Sequence, residues 1–367
     1  EMPIDRRALL KAGGVLAAAA ATGTAAASAA AAAAPVKMRR IATEEAWSIP
    51  EHLDAMQVLT QSDWNNLDIE NLRLPGGIAA TGLGANLLDT RRRLAEMDRL
   101  GVDMHILSLT SPGVQLFDAD KGAALATLAN DRMADIVAAN PTRFAGLASF
   151  APQDPARAVK EMERAINRLK LNGFIVNSHT DNEYLDEPKY WPILEAAEAL
   201  DRPIYIHPRC PSDGMAAPFR DYRLRAAIWG FQAETGTHLM RLMLSGIFDR
   251  FPKLQVVVGH MGENVPFHLW RSDHWYRRRP HSYPSRLAPS EVMKRNVHIT
   301  TSGVEHGPAL RYALEVLGPD RVLWAIDYPY EEMAPSVAFM NSVQLAEPHR
   351  AAVFHQNAER VFHIPAA

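Results

Sequence analysis

The residues of this chain that could do chemistry stand at the ends of short apolar runs. Arg321 to Ile326 closes on Asp327, and Pro329 just beyond it cannot continue a strand's hydrogen bonding. Pro203 to His207 ends on an imidazole, and Leu254 to Gly259 is followed by His260. Gly173 to Asn177 ends on Asn177 with His179 two residues on, Arg40 to Glu44 ends on the pair Glu44 and Glu45, and Val297 to Thr301 ends on Thr301 and Ser302. Taken singly, an aspartate at such a place reads equally as a turn or helix cap, and a lone histidine there is more often structural. Their recurrence is the signal. A strand-one glutamate with His207 and Asp327 offers two anionic oxygens and one imidazole. That donor set with open positions suits one divalent ion, Zn²⁺ or Mn²⁺, in a catalytic site. A cation there keeps Asp327 ionised until a substrate displaces it, after which the same carboxylate can handle a proton. Glu44 and Glu45 point to opposite faces of a strand, and alternation alone leaves open which faces inward.

Strand ends share a mouth only if the strands are parallel, and the rest of the chain predicts that. After Arg40–Glu44 come strands at Met104–Leu109, Phe144–Phe150, Gly173–Asn177, Pro203–His207, Leu254–Gly259, Val297–Thr301 and Arg321–Ile326. Helical stretches separate them: Leu87–Leu100 closed by Gly101, Lys121–Ala139, a helix opened by Asp154-Pro155, Pro188–Leu200, Tyr222–Phe248, Asn264–Arg277, Gly307–Leu317, and two near Met333–Leu345 and Pro348–Val361. Residues 51–88, with Pro75-Gly76-Gly77, read as a long loop over the site. Eight buried strands alternating with helices predict an α/β fold, a (β/α)₈ TIM barrel, in which strand C-termini carry the chemistry. An open doubly wound sheet is the alternative, but no Gly-rich phosphate turn follows the first strand.

Composition narrows the classes. The 367 residues are 47% hydrophobic and 22% charged, with a formal net charge of −3, so no basic field invites nucleic acid. The single cysteine, Cys210, excludes an intrachain disulfide and a cysteine-built zinc site, leaving 14 histidines and the carboxylates as ligands. Residues 1–35 read apart from the rest. Asp5-Arg6-Arg7 precedes a weakly apolar run and an Ala-rich tract, the pattern of a twin-arginine export signal. A single domain at 36–367 is expected, periplasmic or secreted, with no membrane contact once the signal is removed.

The segments RIATEEAW (40–47), LTSPGVQ (109–115), APQDP (151–155), NSHT (177–180), YLDEP (184–188), YIHP (205–208), VVGHMGE (257–263), TSGV (301–304) and IDYPYE (326–331) resemble the decarboxylase branch of the amidohydrolase superfamily. The likeness runs to its 5-carboxyvanillate, γ-resorcylate and 2,3-dihydroxybenzoate decarboxylases, the first of these most closely, and covers roughly residues 40–360. The superfamily begins with two ligating histidines one residue apart; here those places hold Glu44 and Ala46. The resemblance therefore implies Glu44, His207 and Asp327 as ligands, with water or substrate completing the shell. It further implies His260 hydrogen-bonded to Glu263 beside the metal, Glu263 lying in a helix's first turn. Arg271 and Tyr330 are implied to contact substrate, with His179 and Asn177 lining the pocket. The family's second arginine has no clear counterpart, Arg73 being the candidate. A homo-oligomer, dimer or tetramer, is also implied.

The activity so implied is non-oxidative decarboxylation of a small ortho-hydroxy aromatic acid, the ring carbon being protonated by Asp327 before CO₂ leaves. A metal-dependent hydrolase of a lactone or cyclic amide is the alternative, in which Asp327 takes a proton from water. A non-catalytic binding protein that keeps the barrel is the third reading and predicts no tightly bound metal. Asp327→Asn is expected to abolish turnover, and Glu45→Gln to be mild.

Overall fold

The computed structural model describes residues 38–74 and 83–366; the expected export segment at 1–35 lies outside them, as does Pro75-Gly76-Gly77. Eight strands run in sequence order: β1 Ile41–Trp47, β2 Met104–Leu109, β3 Phe144–Ser149, β4 Gly173–Asn177, β5 Ile204–His207, β6 Val256–Val258, β7 Val297–Thr300 and β8 Val322–Leu323. Each is parallel to the next. The last returns to the first through Thr43 N–H to the Trp324 carbonyl (3.1 Å), Asp327 N–H to the Glu44 carbonyl (3.0 Å) and Ala46 N–H to the Tyr328 carbonyl (2.8 Å). The architecture is the TIM barrel and not the open sheet.

The apolar runs are continuous because both faces of each strand are buried. Ile106, Leu147, Ile175, Tyr205, Val257 and Leu323 cluster together with the C-terminal Phe362, filling the barrel's interior. Their neighbours Leu107, Ala148, Val176, Ile206, Val258 and Val322 belong to the larger core between barrel and helices. Local signals place the helices. The Asp154 carboxylate accepts from Arg157 N–H (3.0 Å) at the start of Pro155–Asn167, and Gly101, at φ 72°, ends Thr90–Leu100.

Two segments differ from expectation. Residues 51–88 are not one loop: they carry the helices Pro50–Thr60, Leu67–Leu72 and Leu83–Leu88, the second capped by Asn66 accepting from Ile69 N–H (2.9 Å). β1 runs on to Trp47 because a register shift between Ala42 and Glu45 lets it stay paired with β2. No helix among the described residues is long and apolar enough to cross a membrane.

Candidate active site

β1, β5 and the turn after β8 bring Glu44, His207 and Asp327 together, one donor atom from each lying within 4.8 Å of the others. Glu44 is 2% exposed. Its Oε2 accepts from the Tyr205 hydroxyl and from Thr300 Oγ1 (3.0 Å), whereas Oε1 has no hydrogen-bond partner and lies 3.4 Å from His207 Nε2. His207 Nδ1 is 2.8 Å from the Pro208 carbonyl, which fixes the proton there and leaves the Nε2 lone pair facing Glu44. Asp327 Oδ1 is also buried without a partner. Two orphaned carboxylate oxygens and an imidazole lone pair turned on one point are costly unless a cation satisfies them. The residues fit a single divalent ion.

Charges around the point are uneven. Burial opposes ionisation of Glu44, but His260, His207 and the two hydroxyl donors outweigh it and hold its pKa below the usual value. Burial raises that of Asp327, with the Glu44 charge adding to the rise and His260 opposing it. A divalent ion would favour the ionised form of both.

His260 and Glu263 are joined by a 2.7 Å contact between Nδ1 and Oε1, and His260 Nε2 faces Asp327 Oδ2 (3.6 Å) and Glu44 Oε1 (3.7 Å). Burial would depress His260, but Glu263 and Glu44 more than offset it, so its pKa sits well above the ordinary value. Contrary to expectation, Glu263 does not lie in the first turn of a regular helix. Residues His260, Met261, Gly262, Glu263 and Asn264 all have positive φ, between 52° and 80°, and the helix Val265–Arg278 begins only after them. Four of the five are not glycine, at roughly 1–2 kcal/mol each. This left-handed turn lets side chains three residues apart meet over the barrel mouth. Gly259, just before it, makes room for the ligand: a Cβ there would lie 2.5 Å from Glu44 Oε2.

Above the triad opens a cavity of about 410 Å³, lined by His207, His260, Asp327, Tyr330 and Glu331, with an apolar side from Leu72, Leu74, Leu83 and Phe231. The Tyr330 hydroxyl is 2.5 Å from Thr110 Oγ1 on the turn after β2.

The other expected contacts fall elsewhere. Asn177 and His179 are buried outside the cavity's lining. Gln115 binds both the N–H and the carbonyl of Asn177, and His179 Nε2 sits 3.2 Å from the Cys210 carbonyl, so Cys210 lines the cavity in its stead. Burial, with Arg209 nearby, pushes His179 down to about 2, so it is neutral. Arg73 is turned away, its guanidinium donating to the carbonyls of Thr60, Ser62 and Trp64. Arg271 stands exposed on the helix Val265–Arg278, outside the lining of its own chain's cavity. Three residues escaped sequence reasoning. Tyr205 was readable in principle, lying two before His207 and so on the same face. Thr300 and Gly259 were not, since only the closeness of Glu44 gives them meaning.

Known proteins resemble this chain over most of its length. The amidohydrolase family profile matches residues 85–364. The γ-resorcylate decarboxylase of Polaromonas sp. (strain JS666) is 34% identical over 336 residues, 88% of this chain and 98% of that protein. The crystal structure of 5-carboxyvanillate decarboxylase from Sphingomonas paucimobilis is similar at 51% identity and a TM-score of 0.87, over 89% of this chain and 100% of that one. That of 5-carboxyvanillate decarboxylase from Novosphingobium aromaticivorans, complexed with manganese and 4-hydroxy-3-methoxy-5-nitrobenzoic acid, has 39% identity and a TM-score of 0.86, covering 89% and 96%.

Proposed function

The chain belongs to the amidohydrolase family, and from that premise we propose that its site removes CO₂ from an ortho-hydroxy aromatic acid. It is a metal-dependent decarboxylase of the 5-carboxyvanillate and hydroxybenzoate type. The observation that carries this is the meeting of Glu44, His207 and Asp327 at a cavity of about 410 Å³, roomy enough for a substituted aromatic acid. These three residues would hold one divalent ion, Zn²⁺ or Mn²⁺, which would supply positive charge to offset that of the substrate's oxygens.

The chain's own groups do the proton work. Direct loss of CO₂ from an aromatic ring would leave an unstabilised aryl anion, so the ring carbon is protonated first. The substrate's phenolic proton passes to the Asp327 carboxylate, which lines the cavity. Asp327 then gives that proton to the ring carbon bearing the carboxylate. The carbon–carbon bond breaks, its electron pair restores aromaticity, and CO₂ leaves. Glu263 orients His260, which offers its Nε2 side to the oxygens gathered at Asp327 and Glu44. Tyr330, set by Thr110, contacts the ring from the side.

Two finer readings complete the proposal. The helix Val265–Arg278 exposes Phe267 (73%) and Trp270 (76%), an apolar face that supports a homo-oligomer, dimer or tetramer. Arg271 on the same helix would then serve a substrate only across that interface. The Arg6-Arg7 segment supports twin-arginine export to the periplasm, which cell fractionation of the chain with and without residues 1–35 tests.

Screening ortho-hydroxybenzoates, 5-carboxyvanillate among them, for CO₂ release with Mn²⁺ and with Zn²⁺ tests the activity. Chelation should abolish release and metal should restore it. Ring opening of a lactone or cyclic amide without CO₂ release from any acid would favour the hydrolase instead.

A further inference from the structure

Resting on the site reading above, we propose that Glu45 is a positioning residue that sets Asp327 in place by gripping the peptides on either side of it. β8 ends at Leu323, four residues before Asp327, although the apolar run continues to Ile326. The chain beyond Leu323 leaves the regular ladder, and its N–H groups find other acceptors. Ile326 N–H donates to Glu45 Oε1 (3.0 Å) and Tyr328 N–H to Glu45 Oε2 (3.2 Å). Between them, Asp327 N–H donates to the Glu44 carbonyl (3.0 Å). Three successive peptides are thus held by two successive glutamates of β1. One carboxylate, that of Glu44, faces the metal point. The other, that of Glu45, faces away from it and clamps the backbone.

The clamp has something to restrain. Asp327 has φ 77°, a left-handed conformation that a non-glycine residue keeps only where its surroundings impose it. Its carbonyl accepts from Tyr330 N–H (2.9 Å) and Glu331 N–H (3.0 Å), so the same peptide geometry also orients the cavity wall.

Glu45 is itself fixed from behind. It is fully buried, as is Arg93, whose Nη2 donates to the Ala46 carbonyl (2.5 Å) and whose guanidinium lies 4.6 Å over the Tyr328 ring. His105 Nδ1 lies 3.7 Å from Glu45 Oε2 and 3.5 Å from Arg93 Nη1. Arg93, on the helix Thr90–Leu100, favours the ionised form of Glu45, but burial opposes it and outweighs that charge. Glu45 acts on the reaction only through where it holds Asp327. The expectation of a mild Glu45→Gln change is accordingly revised. Glutamine keeps one acceptor oxygen and sets an NH₂ group against the second peptide N–H, releasing one side of the clamp.

The test compares wild type, Glu45→Gln and, as a control at the other end of β8, Asn357→Ala. Asn357 donates to the Val322 and Pro319 carbonyls and supports the start of the strand, away from the site. We expect Glu45→Gln to weaken Mn²⁺ binding and lower kcat by about 10- to 100-fold each, with KM within about threefold. Asn357→Ala should lower thermal stability while leaving Mn²⁺ affinity and kcat near wild type. If Glu45→Gln does not accumulate as folded protein, Glu45→Asp, which keeps both oxygens but withdraws them by one methylene, is held to the same thresholds. A folded Glu45 variant with wild-type Mn²⁺ affinity and kcat overturns the inference. A wild type that neither binds Mn²⁺ nor releases CO₂ from any hydroxybenzoate instead overturns the decarboxylase reading itself.

Discussion

Gly259→Ala isolates the metal point from the rest of the fold. Gly259 has φ −75° and ψ −172°, a conformation open to alanine, so the backbone has no reason to resist the change. The added methyl carbon would sit 2.5 Å from Glu44 Oε2 and 2.8 Å from Oε1. Ordinary contact requires the carboxylate to retreat by roughly 1 Å. It cannot do so freely. Tyr205 and Thr300 hold Oε2, and the Asp327 N–H holds the residue's own carbonyl. Overpacking of this size costs about 1–3 kcal/mol of stability, which the large apolar core tolerates. The ligand displacement is the more telling effect. Moving one of three protein ligands off its position should weaken metal affinity by at least about 10- to 100-fold, the range seen when even a supporting group is lost. Competition against a metallochromic chelator gives the affinity, and circular dichroism with thermal melting confirms the fold. A folded Gly259→Ala protein that binds Mn²⁺ and Zn²⁺ as wild type does would refute the placement of Glu44 on the metal.

Asp327→Asn should keep the fold and lower CO₂ release by on the order of 10³-fold, because the amide can neither take nor return the ring proton; a near-wild-type rate removes Asp327 as donor. Arg271→Ala should raise KM about 10- to 100-fold if the helix Val265–Arg278 meets a partner's cavity, the worth of one charge-assisted pair. An unchanged KM leaves Arg271 a surface residue of the exposed helix. His52 is buried between Ser48 and the Gly113 carbonyl, and burial lowers its pKa to about 4. The unfolded chain binds this proton near pH 6.5 and the folded one only near pH 4, so acid favours unfolding across that window. Relative to His52→Gln, wild type should lose about 2 kcal/mol between pH 7.5 and pH 5 in urea melts; parallel stability curves would show that His52 is not held neutral.

What the sequence made legible follows the physics of each signal. β2, β4 and the helix Gly307–Leu317 were read to their observed ends, because both faces of the strands are apolar and the helix has Gly307-Pro308 to open it and Gly318 to close it. β8 was read too long for a related reason. Apolar side chains persist to Ile326, but the backbone hydrogen bonds do not, and a sequence displays side chains only. The candidate metal cluster was legible because each of its residues ends a strand in a fold that gathers strand ends, while the choice of Glu44 over Glu45 came from the family resemblance. Asn177 and His179 met that same criterion yet lie outside the cavity, since Gln115 and Cys210 close over them. Strand-end position selects candidates, and the turn that follows each strand decides among them. After β6 that turn is left-handed and lifts His260 over the mouth; after β8 it is clamped by Glu45 and presents Asp327. Two left-handed stretches of backbone thus carry the two residues assigned to move or steer the proton. The groups that hold them there, Glu263 and Glu45, belong to the site as much as the residues that would hold the metal.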